Sequence, residues 1–181
     1  MSDVVCFGDD SGVNVKCSCF SVALVCFKRL SGYPLLKHGA SLLGEVRRLL
    51  GWESGELKYR RVERRAKRLG ISVTRLVSLV VAGSVASGSL RAHSRGEPLE
   101  ERVGALRRLL NVLGLEKPLL VLDHGLIPGS ESRASRMLGL RVRFASSGST
   151  PGIQLGDLLA GACYHGVWCS VDECGEEERV G

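Results

Sequence analysis

The stretch "VVCFGDDSG", Val4 to Gly12, constrains the fold of this chain more than any other. Val4, Val5, Cys6 and Phe7 read as a short buried strand, and Gly12 closes the turn after it. The next apolar run, "NVKCSCFSVALVCFK" from Asn14 to Lys28, is rich in β-branched and aromatic residues and reads as a second, antiparallel strand. The chain therefore opens on a hairpin. Asp9 and Asp10 stand where its first strand reaches water. Adjacent carboxylates repel, so either solvent and backbone amides in a capped turn or a cation must compensate them.

Beyond the hairpin, helices and strands alternate. "GYPLLKHG" reads as a third strand or a loop. From Ser41, Leu42, Val46, Leu49 and Leu50 share one helical face, and Gly51 is a natural terminator. Glu56 to Leu69 reads as a strongly basic helix, "ISVTRLVSLVVAG" as a central strand, and Ser84 to Gly96 as a mobile Ser/Gly loop. A helix over Pro98 to Leu113 turns Leu99, Val103, Leu106 and Leu110 inward. "KPLLVLDHG" is a buried parallel-type strand ending at Asp123. A short helix over Ser130 to Leu138, a strand "LRVRFAS" and a helix "GIQLGDLLAGACYHGVW" started by Thr150 and Pro151 complete the order. The expected fold is an α/β sheet of mixed direction, an antiparallel hairpin followed by parallel strands, flanked by helices.

The 181 residues suffice for one domain, expected over 1–169, with an acidic flexible tail over 170–181. That tail holds Asp172, Glu173, Glu176, Glu177 and Glu178 against Arg179, so the remaining body carries +10 although the whole chain carries +6. Basic density peaks in "KYRRVERRAKR": Lys58, Arg60, Arg61, Arg64, Arg65, Lys67 and Arg68. Such a body suits a polyanion, RNA or DNA, while a solvated arginine-rich helix is the plainer alternative. The tail then reads as a mimic of that partner or as a solubilising end. No secretory signal precedes the first strand, and the uncharged run Leu76 to Leu90, with its serines and glycines, falls short of a membrane span. The expected location is cytoplasmic, with no membrane partner. None of the seven cysteines (Cys6, Cys17, Cys19, Cys26, Cys163, Cys169, Cys174) forms a CxxC pair, which argues against structural zinc. Most lie in apolar runs and are expected as small core residues, without a bridge. Cys169 and Cys174 are close enough in sequence to pair, as happens inside hyperthermophiles, whose proteins the high Arg, Gly and Val content would suit.

Four acids occupy positions that demand an explanation. Asp9 and Asp123 end apolar strands, where open α/β sheets place ligands. Glu56 stands at the start of a basic helix, where amides favour a carboxylate. Asp157 lies in the most apolar helix of the chain, whose small residues Gly156, Ala160 and Gly161 permit close approach to the sheet. Brought together, the four carry −4, and two carboxylates about 4 Å apart repel by roughly 4 kcal/mol at an effective dielectric near 20. Two divalent cations such as Mg²⁺ or Mn²⁺ would cancel that charge and could serve phosphodiester cleavage. The alternative is that each acid is separately capped or paired with an arginine.

The motifs "FGDDSG", "GELKYR", "VLDHG" and "GIQLGDLLAGACY", in this order, resemble those of the family called domain of unknown function 3800, whose members resemble ribonuclease H in fold. The resemblance spans Val4 to about Tyr164 and is closest at Gln154 to Ala162. It implies a ribonuclease H-like domain with Asp9, Glu56, Asp123 and Asp157 as metal ligands and Lys58 as the basic partner of Glu56. Asp10 replaces the family's usual Glu and Gly156 its usual Ala, which leaves Asp10 as either a further ligand or a shaper of the turn. In a PIN domain, the rival metal nuclease, the first strand would lead into a helix; here it leads into a strand.

The functional expectation is a metal-dependent nuclease acting on RNA or DNA by a two-metal mechanism, with two Mg²⁺ or Mn²⁺ ions at the four carboxylates. Lys58 and the arginines from Arg60 to Arg68, joined by Arg91 and Arg95, would neutralise phosphates. A non-catalytic nucleic-acid-binding or regulatory module is the alternative, and a metal hydrolase of small phosphates a third. His124 reads as a proton carrier or a surface hydrogen-bonder, His165 as a second group at the same mouth or an exposed helical residue. Trp52 and Trp168 read as base-stacking or packing residues, and Cys163 as core.

Overall fold

The computed structural model describes residues 3–12 and 19–175. Six strands form one mixed sheet: β1 (Val4–Ser11), β2 (Cys19–Lys28), β3 (Ala86–His93), β4 (Leu119–Asp123), β5 (Val142–Ala145) and β6 (Val171–Asp172), in the spatial order β5-β4-β1-β2-β3-β6. The β1–β2 and β2–β3 pairs are antiparallel, and β4 joins β1, β5 joins β4 and β6 joins β3 in parallel. This is the expected fold: an antiparallel hairpin, then parallel strands. The part of the second strand expected over 14–18 lies outside the described residues.

Two expected elements differ. "ISVTRLVSLVVAG" is a helix, α3 (Val73–Gly83), because the Ser72 hydroxyl caps it by accepting from the Arg75 N–H and because Leu76, Val77 and Val80 are buried at helical spacing. Tertiary packing overrides the β propensity of its valines. The Ser/Gly run expected as a mobile loop is instead β3, paired on both sides. Its small residues answer close packing: a Cβ on Gly88 would lie 2.9 Å from Ser170 Oγ and 3.1 Å from Leu113 Cδ2. "GYPLLKHG" holds only a short 3₁₀ turn over Leu35–Lys37.

Helices cover both faces. α4 (Pro98–Val112) and α5 (Glu131–Leu138) bury Val103, Leu106, Leu109 and Leu138 with Cys6, Leu24 and Leu122 of the sheet. On the other face α1 (Ala40–Leu50), α2 (Tyr59–Arg68), α3 and α6 (Pro151–Tyr164) pack with Ala23 and Val25. α6 lies directly on β1 because glycines line its inner side. A Cβ on Gly152 would stand 2.2 Å from Phe7 Cγ, and one on Gly156 would stand 3.3 Å from the Asp9 nitrogen. No helix among the described residues is long and apolar enough to cross a membrane.

The cysteines correct the expectation of an unbridged core. Cys6–Cys26, Cys163–Cys169 and Cys19–Cys174 are disulfides, so Cys169 pairs with Cys163 rather than with Cys174. Cys17 lies outside the described residues. Of the stretch read as an acidic tail, residues 170–175 are docked: β6 pairs with β3, Arg108 Nε meets Glu173 Oε1 at 2.9 Å, and Cys174 is bridged.

Candidate metal centre

β1 runs four residues further than the apolar run Val4 to Phe7 implies. Asp9 and Asp10 are not in a turn but in register with Ala23 and Val22. Side chains alternate across a strand, so the two acids point to opposite faces. Asp9 continues the row of Val5 and Phe7 and looks toward α6. Asp10 looks toward α4, where Arg102 Nε stands 3.2 Å from its Oδ2 and the Arg102 guanidinium lies 3.8 Å over the Phe20 ring.

Asp9 is 4% exposed, and its Oδ1 accepts from the Asp10 N–H at 2.8 Å. Its Oδ2 is buried with no hydrogen-bond partner among the described residues. Burial first, then the charge of Asp157 and that of Asp123, push its pKa up to about 8. Asp10 is raised to about 6, by burial against the opposing pull of Arg102. A carboxylate so placed either keeps its proton or needs a cation.

Asp157 enters the same space from α6. The expectation placed Glu56 at a helix N-terminus, but α2 begins only at Tyr59, and its first amide donates to Asp157 Oδ2 at 2.7 Å. The positive end of a basic helix thus faces Asp157, not Glu56. Burial raises the Asp157 pKa, while this bond and Lys58 oppose the rise.

Glu56 sits in the extended segment before α2. It accepts from the Ser147 hydroxyl, and Lys58 Nζ lies 2.9 Å from its Oε1. Burial pulls its pKa upward, but the Ser147 and Lys58 hydrogen bonds, with the charges of Lys58 and Arg61, outweigh that and lower it. Burial also pulls the Lys58 pKa down, yet the bond to Glu56 and the charges of Asp157 and Asp9 raise it overall. Asp123, at the end of β4, accepts from the Ser147 N–H at 3.2 Å and the Gly125 N–H at 3.4 Å.

The four acids share partners or fields: Glu56 and Asp123 meet through Ser147, the charges of Asp157 and Asp123 help raise the Asp9 pKa, and those of Glu56 and Asp123 act in the same direction on Asp157. Hard carboxylate oxygens from a strand pair, a loop and a helix, one of them buried without a hydrogen-bond donor, fit Mg²⁺ or Mn²⁺.

Two organising residues carry no marker of their own in the sequence. Ser147 is one of several serines in "SSGSTPG", yet its amide and hydroxyl hold two of the acids. Gln154, buried at 3% exposure, accepts from the Leu57 N–H at 3.0 Å and donates to the Ser147 carbonyl at 2.8 Å. Its place one turn before Asp157 on an apolar helix was the available signal.

The basic residues divide. Arg61, Arg64, Lys67 and Arg68 line a cleft of about 670 Å³ with Trp52. Arg65 instead donates to the carbonyls of Leu50 and Gly51 at the end of α1. Arg60 lines a smaller cleft of about 230 Å³ with Lys58, Tyr59, Asp157 and His165. His165 stacks on Tyr59 at 5.2 Å, and burial lowers its pKa. Arg91, expected to meet phosphate, is 1% exposed and faces Asp172 at 3.5 Å, so it serves the docking of β6; Arg95 is exposed. His124 is exposed beside Phe144, and Trp168 packs into the core on the α6 side of the sheet.

No protein-family model matches the chain, and no curated protein matches it. The likeness to domain of unknown function 3800 thus remains one of motifs. Solved structures do match. The ribonuclease H2 of Pyrococcus horikoshii OT3 superposes with a TM-score of 0.58 at 9% identity, over 88% of this chain and 71% of that one. The RNase HII of Archaeoglobus fulgidus, solved in complex with PCNA, gives 0.52 at 13%, over 86% and 70%. Bst-RNase HIII in complex with Mn²⁺ gives 0.50 at 11%, over 88% of this chain and 51% of that one. The chain has the ribonuclease H-like fold.

Proposed function

We propose that this chain is a metal-dependent nuclease that hydrolyses phosphodiester bonds in RNA or DNA. The observation that carries the reading is a buried Asp9 oxygen that no donor among the described residues satisfies, lying in the field of Asp157 and Asp123, with Glu56 tied to Asp123 through Ser147. The Mn²⁺ bound by Bst-RNase HIII and the nuclease activity named for the other neighbours are in keeping with it. Two Mg²⁺ or Mn²⁺ ions at such a site supply an activated water and stabilisation of the leaving oxygen.

The roles of this chain's own groups follow from their surroundings. Asp9 is the buried ligand and Asp157 a half-buried one, their separation set by the seating of α6 on β1. Asp123 and Glu56 are the more accessible ones, oriented by Ser147. Lys58 steadies Glu56 and offers a cation to a phosphate at the mouth. Asp10, turned to the other face, keeps Arg102 as its partner and shapes the strand end. Arg60, Arg61, Arg64, Lys67 and Arg68 present the charge along which a polynucleotide backbone would run.

Cleavage of labelled RNA and DNA oligonucleotides in Mn²⁺ tests the reading. The wild type cuts at least one of them, and Asp123→Asn, which keeps an acceptor for the Ser147 amide, folds normally and does not cut. Equal cutting by that variant overturns it.

The cleft of Trp52, Arg61, Arg64, Lys67 and Arg68 favours a second reading, a nucleic-acid-binding module without catalysis. It predicts salt-sensitive binding with no cleavage at any metal concentration.

A further inference from the structure

Three potential metal ligands that the carboxylate site does not use meet near one end of the sheet. Cys19 opens β2 and stands in antiparallel register with His93, the last residue of β3. Cys174 follows β6, which pairs with β3. Both sulfurs and a nitrogen of His93 lie within 4.8 Å of one another, and Cys19 Sγ is 3.8 Å from His93 Nδ1.

We propose that Cys19, His93 and Cys174, once the Cys19–Cys174 bridge is reduced, form a binding site for a zinc-class divalent cation. Tetrahedral zinc, with bonds of about 2.3 Å to sulfur and about 2.0 Å to nitrogen, sets a sulfur–nitrogen edge of roughly 3.6 Å. The present 3.8 Å is already that spacing. The Cα atoms of the two cysteines are 6.5 Å apart, toward the wide end for a disulfide, so the sulfurs can part by side-chain rotation. Cys19 is 2% and Cys174 9% exposed, which keeps the site dry. Two thiolates and an imidazole select a softer ion than the hard carboxylates around Asp9, so the two sites would not compete for one metal. Three protein ligands leave the fourth position to water or another donor.

Chain spacing conceals such a site. The absence of CxxC excludes ligands adjacent in sequence, whereas these come from three strand ends. A dithiol reductant supplies the two electrons and two protons that break the S–S bond and closes to its own disulfide. Cation binding then releases both thiol protons. Either state, bridge or metal, ties β6 to β2 and β3.

The test uses the full chain reduced with a phosphine and titrated with Co²⁺ alone. The expected result is one thiolate-bound cobalt per chain, counted from the thiolate-to-metal charge-transfer and tetrahedral visible bands, displaced by Zn²⁺. The bands persist in Asp123→Asn and in Cys169→Ser. They vanish in Cys174→Ser, and cobalt affinity falls by about tenfold or more in His93→Gln. Because Cys174→Ser risks misfolding, circular dichroism accompanies every variant, and His93→Gln alone suffices where the serine variant does not fold. Absence of the bands in reduced wild type, folded or not, overturns the proposal, as does their survival unchanged in His93→Gln. Oligonucleotide cleavage plays no part in this readout, so the nuclease reading stands or falls separately.

Discussion

The side-chain amide of Gln154 donates to the main-chain oxygen of Ser147 at 2.8 Å, and its carbonyl accepts from Leu57 at 3.0 Å. One buried residue thereby pins the loop that carries Glu56 and the loop that orients Asp123. Gln154→Ala should cost about 1–3 kcal/mol through the unsatisfied groups it leaves. Metal affinity should fall by roughly 10–100-fold, as when groups that orient ligands are removed. Thermal melts with and without Mn²⁺ measure both.

The protonation of Asp9 sets a pH dependence. Its folded pKa is raised from 3.8 to about 8, so between those values the folded chain holds a proton that the unfolded chain has released. The stability this represents is complete at acid pH and is lost as pH rises toward 8. Asp10, raised to about 6, adds to the loss in the lower part of that window. Metal-free protein should therefore melt at lower temperature at pH 8 than at pH 5, and Mn²⁺ should raise the melting temperature more at pH 8. A flat profile without metal would sink the assignment.

Adjacent acids should respond oppositely to substitution. Asp9→Asn removes the buried charge and should raise the metal-free melting temperature at pH 8 while eliminating cleavage. Asp10→Ala strands the buried Arg102 and should cost about 3–5 kcal/mol. Denaturant unfolding of both variants makes the comparison.

The glycine face of α6 should tolerate little. A Cβ at position 161 would lie 2.1 Å from Tyr59 Cγ. Gly161→Ala should destabilise by about 1–3 kcal/mol. It should also displace the Tyr59 amide from Asp157, weakening Mn²⁺ binding measured by calorimetry.

The bridges should differ in weight. By the chain-entropy model, removing Cys19–Cys174, with a sequence separation of 155, costs about 5 kcal/mol, against about 2 for Cys163–Cys169, with 6. Melts of Cys174→Ser and Cys169→Ser in metal-free buffer read the difference.

The hairpin, the parallel β4, α4 and the glycine-lined α6 were legible because periodicity and turn residues agree there. α3 was not, since its valines favour a strand locally and only the Ser72 cap and the packing of Leu76, Val77 and Val80 make it helical. β3 was hidden by the reverse: its serines and glycines look like a loop, and pairing on both sides supplies what composition lacks. Of the site, the four acids stood out as charges at apolar ends. Ser147 did not, because an uncharged loop residue that holds others in place leaves no trace in spacing, and Gln154 showed only as a polar residue one turn before Asp157, with no hint of what it holds. The disulfides were illegible for a related reason: Cys19 and Cys174 become neighbours only through β6.

The contact of α6 with β1 is set by missing side-chain atoms on one surface and not by the segments that join them. Chain length between the two is therefore free to vary. Residues inserted beside the exposed Glu116 and Lys117 would cost only the slow logarithm of a longer tether and leave Asp9 and Asp157 opposed as they are. Such an insertion enters β4 at Leu119, the end of the strand away from Asp123, so the chain can lengthen there without touching the two acids.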